Sequence, residues 1–330
     1  MKRQRDHKLY VNQDESPRIK VGISTCLLGM AVRFDGGHKH DSYLTQTLGR
    51  YFDWVSVCPE VDMGMSIPRE NIRLVGEVDD PRLKAPKSGT DYTDQMKNWT
   101  KAKLHEFENM DLHGYILKKD SPSCGMERVR VYDENNVPKR QGIGVFARAL
   151  LDKFPLLPIE EEGRLKDARL RENFIERIFA HYRLQELLRS NPSNGDIVEF
   201  HTRHKLTLMA HHQKTYNELG RMTANIKDYD RYTFFNQYNA KFMAALKRKA
   251  TIRTHTNVLH HIMGFFKKHI STEERQELLD LIEQYREGLL PLIAPIILIK
   301  HFLYKLDIDW LDKQVYLNPY PSELMLRNFI

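Results

Sequence analysis

Three cysteines carry the reactive potential of this chain, which has no others. Each follows a β-rich run and has Gly or Pro close behind it. Cys26 ends Val21-Gly22-Ile23-Ser24-Thr25 and is followed by Leu27-Leu28-Gly29. Cys58 ends Trp54-Val55-Ser56-Val57 and precedes Pro59-Glu60. Cys124 sits in Lys118-Lys119-Asp120-Ser121-Pro122-Ser123-Cys124-Gly125, just after an apolar run over 112–117. Loops at the carboxyl ends of strands are where α/β proteins hold reactive groups against a rigid sheet. Three such deliveries imply that the thiols meet in space.

Thiols so placed admit several chemistries: buried small apolar groups, a redox pair with a spare, a zinc site or an iron–sulfur cluster. A redox pair usually shows Cys-x-x-Cys, which is absent. Structural zinc takes four ligands with short paired spacing, whereas the gaps here are 32 and 66 residues. A [4Fe–4S] cluster on three thiolates stays open, its fourth iron a Lewis-acid position without a protein ligand. Spacing alone does not decide among these. Neighbouring residues add proton and charge chemistry. Glu60 lies two residues past Cys58, and Ser121 three before Cys124. The loop over 26–39 holds three glycines with Arg33, Asp35 and His38, a composition suited to close backbone approach to a ligand. Ser121 equally suits a turn hydroxyl bonded to nearby backbone. His38 reads as a loop histidine rather than a ligand.

Periodicity predicts the elements that position these groups. Apolar and β-branched runs predict strands over 20–25, 54–57, 72–78, 112–117, 129–132 and 156–159. Helices are expected over 42–51, 92–108 and 142–153, and an exposed loop over 79–90. This alternation predicts an α/β fold: a Rossmann-like, mostly parallel sheet with helices on both faces. An all-α C-terminal domain should follow. Its signals are a long amphipathic helix over 164–190, a break at Asn191-Pro192-Ser193-Asn194-Gly195, and helices over 199–219, 231–246, 258–268, 273–287 and 292–306. Ser271 or Thr272 is the expected N-cap of the fourth of these, with Glu274 in its first turn. The expected organisation is a polar arm over 1–19, an α/β domain over 20–160, a linking helix and loop over 161–194, and a helical domain over 195–330.

The chain of 330 residues carries a formal charge of +7 and has a pI near 9.1. The excess is spread out: 24 Lys and Arg against 21 Asp and Glu over 1–150, and 27 against 23 over 151–330. It favours an anionic partner and equally describes an ordinarily basic soluble protein. The start, Met1-Lys2-Arg3-Gln4-Arg5, has no apolar segment behind it, and no run approaches the ~18 apolar residues of a membrane span. With an odd cysteine count, the expectation is a reducing cytoplasm.

Five motifs in order over 20–160 resemble TudS-like thiouracil desulfidases: Thr25-Cys26-Leu27-Leu28-Gly29, Val32-Arg33-Phe34-Asp35-Gly36-Gly37, Cys58-Pro59-Glu60, Pro68-Arg69 and Ser121-Pro122-Ser123-Cys124-Gly125. Residues 195–320 resemble the helical domain of bacterial YbgA proteins, often fused behind it. The segments that carry this are His201-Thr202-Arg203-His204-Lys205, Leu208-Met209-Ala210-His211 and Tyr216-Asn217-Glu218-Leu219-Gly220. The resemblance implies a [4Fe–4S] cluster on Cys26, Cys58 and Cys124 with one iron free of protein ligands, and proton handling by Glu60 and Ser121. Arg33, Asp35 and Ser123 are the candidates for contacting a thiolated base, though Arg33 and Asp35 equally suit holding their loop. The implied reaction is hydrolytic, without net electron transfer: sulfur leaves 4-thiouridine in tRNA, giving uridine and sulfide. Free thiouracil is the alternative substrate. A non-enzymatic iron–sulfur sensor or RNA-binding protein is the alternative of another class. Val32 stands where many relatives carry a further Cys, so a cluster here rests on three. Gly64-Met65 replaces a common Gly-Gly. The helical domain would dock tRNA through Lys205, Lys214, Arg221, Lys241, Lys247, Arg248, Lys249 and Arg253, with Tyr216, Tyr232, Phe234 and Tyr238 among them. His201, His204, His211 and His212 read as core-facing or RNA-facing rather than as a metal site.

Overall fold

The computed structural model describes residues 18–306 and 308–330. Nearly all of the polar arm expected over 1–19 lies outside them. The chain divides into two units, one ending at Leu165 and the other starting at Lys166.

In the first unit, β1 (Ile19–Ser24), β2 (Phe52–Val57), β5 (Tyr115–Leu117) and β8 (Ile159–Glu161) form a parallel sheet in the order β2-β1-β5-β8. The burial of β1 and β5 explains their near-continuous apolar runs, since a strand covered on both faces has no polar side. Gly22 is required by packing. A Cβ there would lie 2.1 Å from the Tyr115 ring of the paired strand. The helices of this unit are α1 (Pro59–Asp62), α2 (Thr93–Phe107) and α3 (Val145–Lys153). Chain order runs from β1 outward to β2 and then back across to β5. That reversal is the topological switch point, where open α/β sheets bind ligands beyond the strand carboxyl ends.

A second sheet departs from expectation. It joins β3 (Arg73–Val75), β4 (Arg82–Lys84), β6 (Val129–Tyr132) and β7 (Pro138–Gly142) in the order β4-β3-β6-β7. Only β3 and β6 are parallel; the other pairs are antiparallel. β4 falls in the loop expected over 79–90. β7 is exposed at four of its five residues, so it shows no apolar alternation. The helix expected over 42–51 is a π-turn, Tyr43–Thr47, followed by a 3-10 turn, Leu48–Arg50.

The second unit is helical: α4 (Ala168–Arg189), α5 (Asn194–His211), α6 (Gln213–Ala224), α7 (Arg231–Lys247), α8 (Ile252–Phe266), α9 (Thr272–Arg286), α10 (Ile293–Lys305) and the short α11 (Asp309–Asp312). The helix expected to link the halves is α4, and it belongs here. Its Asn173 donates to the Leu246 carbonyl, and its Glu172 accepts from Tyr320. Ser271 caps α9 in a reciprocal box with Glu274. The single helix expected over 199–219 breaks at His212, which is extended at φ −158°. No helix among the described residues is long and apolar enough to cross a membrane.

The histidines of this unit have separate partners. His201 bonds Tyr238, His204 the Phe200 carbonyl, and His212 Thr215. His211 bonds the Arg248 carbonyl and pairs with Glu176. Burial holds His201 and His204 neutral, pulling them down to about 4 and about 3. His255 is pulled down to about 3 by burial and the nearby Arg327 charge. Burial opposes the His211 cation, but the Glu176 carboxylate overcomes it and raises that group. Burial and neighbouring Glu176 raise Glu172. For Glu176 burial acts upward too, and His211 and Arg327 outweigh it and lower it.

These shifts predict acid sensitivity. Below pH ~6.5 the unfolded chain protonates three imidazoles that the fold keeps neutral, so stability falls as pH falls. Raised Glu172 runs the other way above pH ~4.5, and His211 keeps its proton in both states. The unfolded chain thus binds about two more protons. Stability should drop by on the order of 2–3 kcal/mol per unit between about pH 6 and 5. The urea midpoint of the helical circular-dichroism signal should fall steeply over that range; a flat midpoint would contradict buried neutral imidazoles.

Candidate active site

The parallel register aligns the strand ends. Ser24 pairs with Val57, and Ile23 with Ile116. Cys26, Cys58 and Cys124 therefore leave the same edge, and all three line one cavity of about 540 Å³. Its volume is in the range of small-molecule sites. Cys26 and Cys124 are buried, Cys58 is half-buried, and none forms a disulfide. Burial pushes the Cys26 thiol up to about 11, against the pull of Lys118 and with the nearby Cys58 adding to the rise. Burial also raises Cys58, and takes Cys124 well above the usual thiol range, where both other cysteines act on it. Such thiols need a bound cation to displace their protons.

Among the described residues, no three His, Cys, Asp or Glu side chains are arranged around a single metal ion. Three unbridged thiols lining one cavity, with no fourth in the chain, are a set of soft donors that fits a [4Fe–4S] cluster. Each thiolate of such a cluster binds a different iron, so convergence on one point is not required.

Glu60 follows Pro59 in the first turn of α1 and stands against the same cavity. Both of its oxygens are held. Arg69 donates to Oε2 from Nη2 at 2.6 Å and from Nε at 3.0 Å, and the Ser123 hydroxyl donates to Oε1 at 2.9 Å. Arg69 also donates to the Val32 and Ser66 carbonyls, so it ties the loop after Cys26 to the carboxylate. Its side chain is 5% exposed, so this pair is shielded from water.

Ser121 lines the cavity, and its oxygen accepts the backbone N–H groups of Ser123 and Cys124. Those bonds shape the turn and leave its O–H proton unused by them. Arg33 lines the cavity, packs over the Phe34 ring and approaches Asp35 at 3.5 Å. Asp35 lies outside the cavity lining and accepts from Gly37 N–H, closing its own turn; that bond holds its carboxyl below the usual range. His38 accepts from the His40 N–H, likewise within the loop.

Two supports had no role in the sequence reading. The first is a run of buried carboxylates at the end of β8, Glu160-Glu161-Glu162. Glu162 pairs with cavity-lining Lys118 at 2.6 Å and accepts from Lys119 N–H. Glu161 accepts from Met126 N–H, while Glu160 pairs with Arg164. Glu162 and Glu161 thus brace the two ends of the loop that carries Cys124. Three consecutive acids directly after the strand expected over 156–159 were the available signal. The second is the start of α3. The N–H groups of Gly144, Val145 and Ala147 donate to the Gly125, Pro122 and Ser123 carbonyls. A Cβ on Gly144 would lie 2.5 Å from the Ser123 backbone, so only glycine permits this contact.

In the second unit the residues expected to touch RNA divide. Phe234 and Tyr238 are core, Tyr232 is exposed, and Lys241 pairs with Glu218.

Residues 21–162 match the family model described as 2-thiouracil desulfurase, and residues 205–321 match DUF1722, a family of unknown function. The chain is 37% identical over 161 residues to the uncharacterized protein YbgA of Escherichia coli (strain K12), covering 48% of this chain and 95% of that protein. It is 29% identical over 108 residues to the uncharacterized protein YbbK of Bacillus subtilis (strain 168), covering 31% of this chain and 71% of that one. A solved structure titled as the [4Fe-4S]-dependent thiouracil desulfidase TudS is 29% identical, covering 46% of this chain and 95% of its own, with a TM-score of 0.36. The chain belongs to the family in which a 2-thiouracil desulfurase domain is fused to a YbgA-type DUF1722 domain.

Proposed function

We propose that the first unit is a hydrolytic desulfidase acting on 4-thiouridine in tRNA, and that the second unit docks the tRNA. The observation that carries this reading is the delivery of three thiols and one locked carboxylate to a single cavity. Cys26, Cys58 and Cys124 would hold a [4Fe–4S] cluster, which when bound supplies a Lewis-acid position for the thiocarbonyl sulfur. Overall, water enters and sulfide leaves, so the ring carbon exchanges C=S for C=O with no net electron transfer.

Within that reaction, Glu60 takes a proton from the water that attacks the ring carbon. Arg69 fixes Oε2 and Ser123 fixes Oε1, so the carboxylate reaches the water without a search over rotamers. Ser121, three residues before Cys124, passes a proton to the departing sulfur. Arg33 and Phe34 form one wall of the cavity, suited to stacking a pyrimidine. Lys118, held by Glu162, places a cation beside Cys26, where it favours the thiolate.

The cavity volume also accommodates a free thiouracil, the substrate class in the family's description. Sulfide release from thiolated tRNA and from free 2- and 4-thiouracil, by anaerobically reconstituted protein, separates the two. The tRNA reading predicts turnover on tRNA at lower substrate concentration; turnover on free base alone would move the assignment. Ser123→Ala should lower kcat about tenfold with KM unchanged, because a charged hydrogen bond is worth about 1.5–3 kcal/mol. Unchanged kcat would remove Ser123 from the account.

A further inference from the structure

Residues 231–272 contain no Asp or Glu, yet carry eight Lys and Arg and four His. At the chain's average density, a run of 42 residues would hold about six acids. The run covers all of α7 and α8. Three of its exposed cations stand in or beside α8: Lys249 ahead of its N-cap, Arg253 in its first turn and Lys268 just past its C-cap. His255, Val258, Leu259, Ile262 and Phe266 face the core. Lys249, Arg253, Asn257, His260, Gly264 and Lys268 are exposed and follow one another at steps of four, four, three, four and four residues. Within α8 those steps place Arg253, Asn257, His260 and Gly264 on one line, with Lys249 before its N-cap and Lys268 past its C-cap. Among the described residues, Lys249, Arg253 and Lys268 enter no ion pair. Glu283 on α9 senses His260 but is itself bonded to Arg286.

Gly264 is the second observation. Glycine is a poor residue for a helix interior, and nothing in the fold asks for it here: a Cβ would meet no neighbouring atom within 4 Å. The stripe is therefore bare at the last turn of α8, where a backbone can approach closely.

We infer that this α8 stripe is the surface of the second unit that binds the phosphate backbone of the tRNA. The inference rests on the tRNA reading above. Lys249, Arg253 and Lys268, at the two ends of α8 with no acid among them, suit a row of phosphates, and the Asn257 amide and His260 imidazole between them add hydrogen bonds. Such binding is salt-dependent and indifferent to base sequence.

The test uses the full iron-loaded chain. Asn257→Glu and Gly264→Glu each put a carboxylate into the stripe at exposed positions, and neither removes a packing contact. Gln276→Glu, exposed on α9, makes a matched change outside it. The double variant should bind tRNA on the order of tenfold more weakly near 0.1 M salt, with a log–log salt slope shallower by about one to two. Gln276→Glu should stay within twofold of the parent, and turnover of free thiouracil should be unchanged in all three. Unaltered tRNA affinity in the double variant would overturn the inference, as would equal weakening by Gln276→Glu. Binding of phosphatidylserine vesicles in place of tRNA would assign the stripe to a membrane surface and overturn it too. Stripe-dependent binding of tRNA without sulfur release would leave the inference standing and remove the desulfidase reading.

Discussion

Cys124→Ala should yield a folded protein that takes up little iron after anaerobic reconstitution and releases sulfide at a rate lower by on the order of 10³-fold. An open metal position contributes several kcal/mol to stabilising transition-state charge, and about 1.4 kcal/mol is a factor of ten in rate. The fold should survive. Cys124 packs beside Val57 and Leu117, but the substitution deletes one buried atom, a cost of about 1 kcal/mol. The loop around it is pinned without the sulfur, by Ser121, by the amides of α3 and by the buried glutamates. Iron content and thermal melting of the iron-free protein separate the outcomes. A variant that keeps its iron and its turnover would show that the thiols are ordinary core groups. Collapse of the iron-free fold would show that Cys124 serves packing.

Glu60→Gln should keep the cluster and lose the reaction. General acid–base groups contribute ~10²–10⁴-fold, and the amide cannot take the proton from water. The substitution leaves the Ser123 hydroxyl an acceptor at the same place. It also leaves Arg69 without its carboxylate, and breaking a buried pair costs about 3–5 kcal/mol when the remaining charge is uncompensated. Arg69 still donates to the Val32 and Ser66 carbonyls, so the loss should fall at the lower end. Activity is therefore read well below the variant's melting temperature, with iron per chain measured in the same sample. Full activity with iron intact would remove Glu60 as the base.

How much of this was legible depended on whether a residue's role left a local trace. β1 and β5 were readable because strands buried in a parallel sheet are apolar almost throughout, and the edge strand β2, with Asp53 and Ser56 exposed, from its Trp54-Val55 and Val57; each of the three has a cysteine in the loop that follows it. The second sheet was not, because β4 has three residues and β7 consists of exposed Pro138-Lys139-Arg140-Gln141-Gly142. Their pairing partners, and not their own pattern, make them strands. The break at His212 has no Gly or Pro to announce it. It follows from His211 being drawn to Glu176 and the Arg248 carbonyl, contacts 35 and 37 residues away. At the site, the cysteines and Glu60 stood out by type and placement. Arg69 was visible only as part of a motif, since its partner is nine residues off and the Val32 carbonyl it also binds lies on another loop. Ser121 and Ser123 look alike in sequence; geometry gives the first to the turn and the second to Glu60.

The most direct test of the central claim is iron uptake and sulfide release measured together on the anaerobically reconstituted protein, with thiolated tRNA and free thiouracil as substrates. Three cysteines acting as one centre predict close to four irons per chain and sulfide formed in step with loss of the thiocarbonyl absorbance. A chain that binds no iron, or binds it and releases no sulfide from either substrate, would contradict the account.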